Sequence, residues 1–405
     1  MDLVVHFFVV YYLYTYIISG MELDKKLYQK FIDYFDAKPT HYVSSSGRFE
    51  IIGNHTDHNG GLCVASSCDL KIEGYASRRD DNKVIVASEG YSQVIVDLSS
   101  LSFSKKEEGE SSALVRGIAK YFKDNNLKIG GFSLVSKSSI FKGAGVSSSA
   151  AFESLIAQIF NAFYNEGKSS PLMLAKAGQF AENNFFGKHS GLLDQCSICY
   201  GNISFMDFSS DVPKVETLSF PFDDLEFVIV NTGGDHAKLS NLYSSIPLDM
   251  KSAAKKLGKS LLFEANLQYF EDHKNLLNES EYSRGKHFYL ENERVKKLVN
   301  ALIKKEKQTF LKMIKESFFS SRDNLKNMMV DKYEGSPLEA CDLAYKFLGN
   351  DGACKINGGG FAGSIIVCLP RAQSDDFIAY MSNKYGKNNV AKIHVNPSKP
   401  IVEKI

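Results

Sequence analysis

The run KGAGVSSSAAF, Lys142–Phe152, constrains this chain more than any other stretch. Two glycines and three serines stand directly before Ser147–Tyr164, which reads as one long apolar helix. A helix that is apolar on every side has to be covered by other layers. Glycines at 143 and 145 let backbone N–H groups approach and wrap an anion, and a helix N-terminus adds unpaired donors and a positive dipole end. The serine hydroxyls of Ser147, Ser148 and Ser149 can add hydrogen bonds or ligate a divalent cation. A plainer reading is equally open at this level: a glycine turn followed by a serine N-cap on a buried helix. No G-x-x-x-x-G-K-[ST] occurs in the chain, so this is not a P-loop.

Around that helix the pattern mixes strands and helices. MELDKKLYQKFIDYF reads as an amphipathic helix, HYVSSSGRFEIIG as a strand, and KIEGYASRRDDNKVIVASEGYSQVIVDL as hairpin strands about a charged turn at Arg79–Lys83. Residues 113–126 suit a helix, 130–140 a strand, and Pro171–Phe185 another helix. A second strand-bearing block opens with EFVIVNTG, passes through charged helical segments at 250–330, and closes with GGFAGSIIVCLP and AKIHVNPS. With 405 residues, the simplest partition is an α+β domain over 21–220 and a second over 221–405.

Composition removes several classes of function. Lys and Arg total 48 against 47 Asp and Glu, so a nucleic-acid or anionic-membrane surface is not expected. An anionic ligand must then be held by local geometry. Seven cysteines without framework spacing fit a reducing, cytoplasmic setting. Cys196 and Cys199 form a C-x-x-C with no second pair at zinc spacing, and read as two small residues in a buried helix. Residues 1–20, MDLVVHFFVVYYLYTYIISG, are almost wholly apolar and lack the basic n-region of a signal peptide. They read as an over-extended start ahead of Met21, with a membrane anchor as the alternative.

Three further stretches carry polar groups in suggestive clusters. GRFEIIGNHTDHNGG, Gly47–Gly61, crowds Arg48, Asn54, His55, Asp57 and His58 at a strand-to-turn junction. Such a set suits a polyhydroxylated ligand, whose buried hydroxyls all need partners, though a polar surface turn would look the same. AENNFFGKHSGLLDQ, Ala181–Gln195, separates Glu182 late in one helix from Asp194 at the start of the next. One acid can hold a metal while the other handles a proton or orients a hydroxyl; two unrelated helix-terminal charges are the alternative. NGGGFAGSIIVCL, Asn357–Leu369, puts a glycine run before an apolar strand.

In order and spacing these stretches resemble the galactokinase branch of the GHMP kinases from Met21 onward. GRFEIIGNHTDHNGG is similar to that family's N-terminal sugar signature, GAGVSSSAA to its phosphate loop, NGGGFAGS to its C-terminal glycine motif, and AENNFFGKHSGLLDQ to the stretch joining its metal-binding glutamate to its catalytic aspartate. The resemblance implies a two-domain α+β GHMP kinase fold with the active site in the interdomain cleft. It implies ATP-dependent phosphorylation of the anomeric hydroxyl of D-galactose to galactose 1-phosphate, with ATP and Mg²⁺. Asp194 would act as base or orienting carboxylate, and Arg48 would hold charge near the transferred phosphoryl. His55, Asp57 and Tyr243 would bind sugar. Gly143, Gly145, Ser147 and Ser148 would cradle the phosphates, and Ser149 and Glu182 would hold the metal.

Two positions depart from the pattern. Asn54 stands where the family has Glu; its amide oxygen can still accept from a hydroxyl, so Asn54→Glu is expected to preserve or improve galactose use. His58 replaces Tyr, as in relatives acting on sugar acids. Galacturonate, arabinose and N-acetylgalactosamine therefore remain alternative substrates. A non-catalytic galactose/ATP sensor is the alternative of another class, although Ser147–Ala151 and Asp194 are intact.

Overall fold

The computed structural model describes residues 24–141, 143–188, 190–233 and 239–405; the apolar stretch 1–20 lies outside them. The first described helix, α1 (Lys25–Phe35), starts on Asp24, whose carboxylate accepts the N–H groups of Lys26 and Leu27 at 2.9 and 3.0 Å. It is followed by β1 (His41–Ile52), β2 (Leu62–Arg78), β3 (Lys83–Ser88), β4 (Val94–Asp97), α2 (Ser111–Asp124), β5 (Phe132–Ser138), α3 (Ser148–Tyr164), α4 (Pro171–Ala181), α5 (Leu193–Tyr200), β6 (Ile203–Asp207) and β7 (Lys214–Leu218). The later part comprises β8 (Leu225–Asn231), α6 (Ser240–Lys256), α7 (Leu267–Asp272), α8 (Glu279–Lys304), α9 (Lys307–Ser320), α10 (Pro337–Leu348), β9 (Ala353–Asn357), β10 (Ser364–Pro370), α11 (Ser374–Tyr385), β11 (Val390–Ile393) and β12 (Ile401–Lys404).

Among the described residues the strands form two sheets. An 8-stranded sheet runs β12-β1-β2-β5-β3-β4, with β6 and β7 continuing from another part of β2. A 4-stranded sheet runs β11-β8-β10-β9. The long β2 serves two neighbours on one edge: Leu62–Ser66 pair with β6, and Ile72–Arg78 pair with β5.

The expected hairpin across Arg79–Lys83 does not form. β5 lies between β2 and β3 and runs parallel to β3, while β3 makes its hairpin with β4, Val84 facing Val96. The alternation of side chains identifies strands but not their partners. Phe132, Ser133, Leu134, Val135 and Ser136 are all buried, which suits an inner strand better than an edge.

The apolar faces explain the layering. Val43, Ala65 and Leu134 of the larger sheet pack with Ile118 and Phe122 of α2, Leu155 and Phe160 of α3, and Leu174 of α4. Completely buried Phe160 alone contributes about 2–3 kcal/mol by leaving water. Phe49 and Val64 meet Phe227 and Ile366 of the smaller sheet, together with Leu298 of α8 and Phe310 of α9. The Phe49 and Phe227 rings are 4.7 Å apart. β1 therefore packs into both parts of the molecule at once, with Arg48 pointing to the opposite face from its neighbour Phe49. The far face of the smaller sheet is covered by Cys341 and Ala344 of α10 and Phe377 and Met381 of α11.

All seven cysteines are unpaired and buried. Cys196 and Cys199 sit in α5 within the core, where burial raises the Cys199 thiol to about 12. That is a packing environment rather than a reactive one. Among the described residues no helix is long and apolar enough to cross a membrane.

Candidate active site

A cleft with about 470 Å³ of open space is lined by residues from both parts of the chain, among them Arg48, Asp57, Lys188, Asp194, Tyr243 and Gly359. At its centre Arg48 extends from β1. Its Nε donates to Asp194 Oδ1 at 2.6 Å, its second terminal nitrogen to Oδ2 at 2.8 Å, and its first to the Gly145 carbonyl at 2.7 Å. This is the two-point fork that a guanidinium makes with a carboxylate. Burial pushes the Asp194 carboxyl upward, but Arg48, Lys188 and the Ser147 hydroxyl more than offset it and hold the group below the usual carboxylate value.

The glycine–serine loop places Ser147 at this pair. Gly143 and Gly145 have φ of 80° and 70°, and Ser147 itself has φ of 56°. A Cβ on Gly145 would collide with Ser364 Oγ, and one on Gly143 would meet the Asn231 amide. Ser147 occupies the N-cap position of α3 but makes no capping bond; its hydroxyl donates to Asp194 Oδ2 instead. The first turn of α3 thus keeps backbone donors free beside the cleft. The serine run thus opens a buried helix without a side-chain cap, and its first hydroxyl is spent on Asp194.

Ser149, two residues on, donates to Glu182 Oε1 at 3.1 Å. Glu182 is at the start of a π-helical turn, Glu182–Phe186, that ends α4 earlier than the sequence pattern suggests. Such turns recur at functional sites because they re-aim a side chain. Glu182 is 1% exposed and also receives Lys188 Nζ at 2.6 Å, Gln195 Nε2 at 3.1 Å, and the Ser190 hydroxyl. A carboxylate and a hydroxyl are hard oxygen donors of the kind Mg²⁺ takes. The Lys188 ammonium already balances the same carboxylate oxygen with one positive charge. Both Glu182 oxygens are engaged here, Oε1 by Ser149 and Lys188 and Oε2 by Ser190 and Gln195, so a divalent cation at this carboxylate would have to displace the Lys188 ammonium.

The sugar-motif loop follows β1. Thr56 Oγ1 donates to the Gly53 and Leu62 carbonyls at 2.9 and 2.7 Å, fixing a short turn over Asp57–Asn59. From below, α8 supports it: Glu291 Oε1 accepts the Gly53 N–H at 3.0 Å, and His287 Nε2 lies 2.8 Å from the Asn54 carbonyl. His55, at φ 60°, directs Nε2 to the Gly359 carbonyl at 2.9 Å and leaves its buried Nδ1 unpartnered. Burial and the neighbouring His58 lower His55 to about 3, so the ring is neutral and Nδ1 is an acceptor. The Tyr243 ring on α6 stands 5.1 Å from the His55 ring, and burial with nearby Asp57 and Asp194 raises its hydroxyl pKa. Asp57 Oδ1 lies 3.5 Å from His58 Nε2.

Arg48, His55, Asp57, Asp194 and Tyr243 thus share one cleft with Gly145 and Ser147 at its rim, and Ser149 and Glu182 beside it. Asn54 also lines the cleft, but its carbonyl oxygen accepts Asn327 Nδ2 at 2.9 Å, so the amide oxygen is not the free acceptor the sequence suggested. Sequence reasoning missed Glu50, Lys188 and Lys355. Lys355 had a signal: a lysine inside the otherwise apolar strand ACKIN, now 0% exposed and 2.7 Å from Glu50 Oε1. Buried charge of that kind persists only when paired.

Residues 29–78 match the galactokinase galactose-binding signature, and residues 113–202 match the GHMP kinases N terminal domain. The galactokinase of Clostridium tetani is 31% identical over 371 residues, spanning 89% of this chain and 92% of that protein. The galactokinase of Lactococcus lactis is 30% identical over 355 residues, spanning 85% of this chain and 86% of that protein. The crystal structure of Lactococcus lactis galactokinase complexed with galactose superimposes with a TM-score of 0.82 at 25% identity, covering 93% of this chain and 98% of that one. A mevalonate kinase crystal structure shares the fold, with a TM-score of 0.61 at 15% identity and coverage of 88% and 99%.

Proposed function

This chain belongs to the galactokinase family of the GHMP kinases, and we propose that it transfers the γ-phosphoryl group of ATP to the anomeric hydroxyl of D-galactose. The observation that carries the reading is the Arg48–Asp194 fork, set where the sugar-motif loop and the glycine–serine loop converge. In that reaction the anomeric oxygen forms a bond to the γ-phosphorus, the bond to the departing ADP oxygen breaks, and the hydroxyl proton is released. Phosphoryl transfer of this kind depends mainly on positioning and charge stabilisation.

Asp194, held below the usual carboxylate pKa, is a weak base in the resting site. It suits a role in orienting the hydroxyl, with the proton leaving late as the new bond develops. Arg48 supplies fixed positive charge beside the transferred group, at no reorganisation cost because Asp194 and the Gly145 carbonyl already hold it. His55 and Asp57 offer acceptors for sugar hydroxyls, and Tyr243 a ring wall and a hydroxyl. Gly143, Gly145, Ser147 and Ser148 form the phosphate-facing rim. Ser149 and Glu182 would hold Mg²⁺, which supplies charge neutralisation for the phosphates when bound. Seven buried, unpaired cysteines favour a reducing cytoplasmic setting.

The test is coupled ADP release by the full chain with Mg²⁺-ATP, offered galactose, N-acetylgalactosamine, galacturonate, arabinose or glucose. Turnover centred on galactose is expected. Preference for galacturonate would move the substrate and assign the carboxylate to the His58 side of the cleft. Galactose binding without turnover of any sugar would establish the sensor instead.

A further inference from the structure

Beside Asp57, the sugar-motif region brings a second carboxylate to the cleft, at position 50 on β1. Glu50 and Asn54 both line the cleft, and they are hydrogen-bonded to one another. Asn54 Nδ2 donates toward both Glu50 oxygens at 3.2 Å and to the Gly358 carbonyl at 2.7 Å. Its carbonyl oxygen accepts Asn327 Nδ2 at 2.9 Å. A primary amide has two N–H donors and one oxygen, and here both ends serve the protein.

Glu50 is differently placed. Its Oε1 takes the Lys355 ammonium at 2.7 Å, whereas Oε2 receives Asn54 alone, at a long 3.2 Å. A carboxylate has about four lone-pair directions, so Oε2 keeps acceptor capacity on a wall of the cleft. The charge itself is balanced from behind: Lys355 is fully buried and also donates to the Ile356 carbonyl at 2.6 Å. The backbone N–H of Glu50 is pinned by Asn357 Oδ1 at 2.9 Å, which ties β1 to the end of β9. This is a carboxylate fixed from three sides with one oxygen still open.

We propose that Glu50 is the acceptor for a sugar hydroxyl in this chain, with Asn54 as the positioning residue that holds it and Lys355 as its counter-charge. The proposal rests on the sugar-kinase reading above and adds a residue that determines which sugar binds.

The test compares the wild-type full chain with Glu50→Gln, Glu50→Gln/Lys355→Met, Asn54→Glu and Glu50→Asn/Asn54→Glu. KM and kcat for sugar and for ATP are measured with Tm. Glu50→Gln is expected to raise the KM for galactose about ten- to a hundredfold, the ordinary weight of a charge-assisted hydrogen bond in a buried site, and to leave the KM for ATP unmoved. Lys355→Met relieves the unpaired ammonium, so the double variant recovers Tm while its galactose KM stays high. Asn54→Glu alone, expected from the sequence to preserve or improve galactose use, instead sets two carboxylates against each other and weakens sugar binding. Exchanging the two side chains restores it by about tenfold or more over that single variant. Among 2-, 3-, 4- and 6-deoxygalactose, one is discriminated against by the wild type yet used by Glu50→Gln as well as galactose is.

Recovery of the galactose KM in Glu50→Gln/Lys355→Met would overturn the proposal, leaving Glu50 as a partner of Lys355 and nothing more. Galactose binding by Asn54→Glu equal to wild type would do the same. If the wild type prefers another sugar, the assignment of galactose fails while the same variant-to-wild-type ratios are read on that sugar, so the two readings fail separately.

Discussion

Arg48 grips both carboxylate oxygens of Asp194, at 2.6 and 2.8 Å, from a strand that is buried along nearly its whole length. The two residues are far apart in sequence, one on β1 and the other in the first turn of α5, and they meet where the cleft opens. The Ser147 hydroxyl adds a third contact to the same carboxylate. A carboxylate so held keeps its charge and direction whether or not substrate is present, which is the preorganisation that phosphoryl transfer exploits.

Replacing Asp194 with Asn keeps the shape of the side chain and removes its charge. Asp194→Asn is expected to fold and to bind galactose, and to lose turnover by about 10²–10⁴-fold. Single-turnover kinetics beside a calorimetric measurement of galactose binding separate the two effects. Near-normal turnover would remove Asp194 from the chemistry.

The glycine–serine loop tolerates no side chain at Gly145, where φ is 70° and a Cβ would strike Ser364 Oγ. Gly145→Ala therefore has to move either the loop or β10, at a cost of about 1–3 kcal/mol. The expected consequence is a rise in the KM for ATP of about tenfold or more with the galactose KM little changed. A variant with unaltered ATP dependence would separate this loop from the phosphates.

Glu182 offers a test that does not depend on identifying the sugar. Glu182→Gln preserves the hydrogen-bonding reach toward Ser149 but removes the charge shared with Lys188. The Mg²⁺ concentration for half-maximal turnover, and the Mg²⁺ dependence of ATP binding measured without sugar, should each rise at least about tenfold. If neither moves, the metal is held elsewhere.

Stability should fall with acidification well before ordinary carboxylates titrate. Burial lowers His287 to about 4, against about 6.5 in an unfolded chain. Between those values the unfolded chain binds a proton that the folded protein refuses, so stability is lost as pH drops from about 6.5 toward 4, by about 1.4 kcal/mol per pH unit. His55, lowered to about 3, adds a second proton in the same direction. Urea denaturation across about pH 5–7 should show the slope, and His287→Gln should reduce it by one proton's share. A slope that survives this substitution intact would place the acid-sensitive group elsewhere.

Much of this was legible in the sequence, for definite reasons. The helix after the serine run is predominantly apolar, so its burial followed from composition, and the glycines before it announced a backbone conformation that other residues resist. Arg48, His55, Asp57 and Asp194 drew notice as polar groups in clusters that a surface turn or helix ends could equally explain, and it was the order of the motifs, resembling one family, that singled them out. What escaped was pairing at a distance. Nothing in KIEGYASRRDDNKVIVAS shows that β5, arriving some fifty residues later, will wedge between its two strands. Likewise Glu50 looked like one more residue of a strand until Lys355 was found behind it. The Asn54 amide oxygen meets Asn327, a residue on a segment with no motif of its own, and the sequence held no sign of that contact.

The strand that carries Arg48 has its outer neighbour supplied by residues 401–404, with His41 facing Lys404 and Ser44 facing Ile401. The strand that positions Arg48 is therefore left with one side unpaired during synthesis, until nearly the whole described chain has left the ribosome. A strand edge waiting that long is exposed to wrong partners. Pairing on that side of β1 therefore cannot form until residues 401–404 have been made, so the strand that holds Arg48 is completed among the last events of folding.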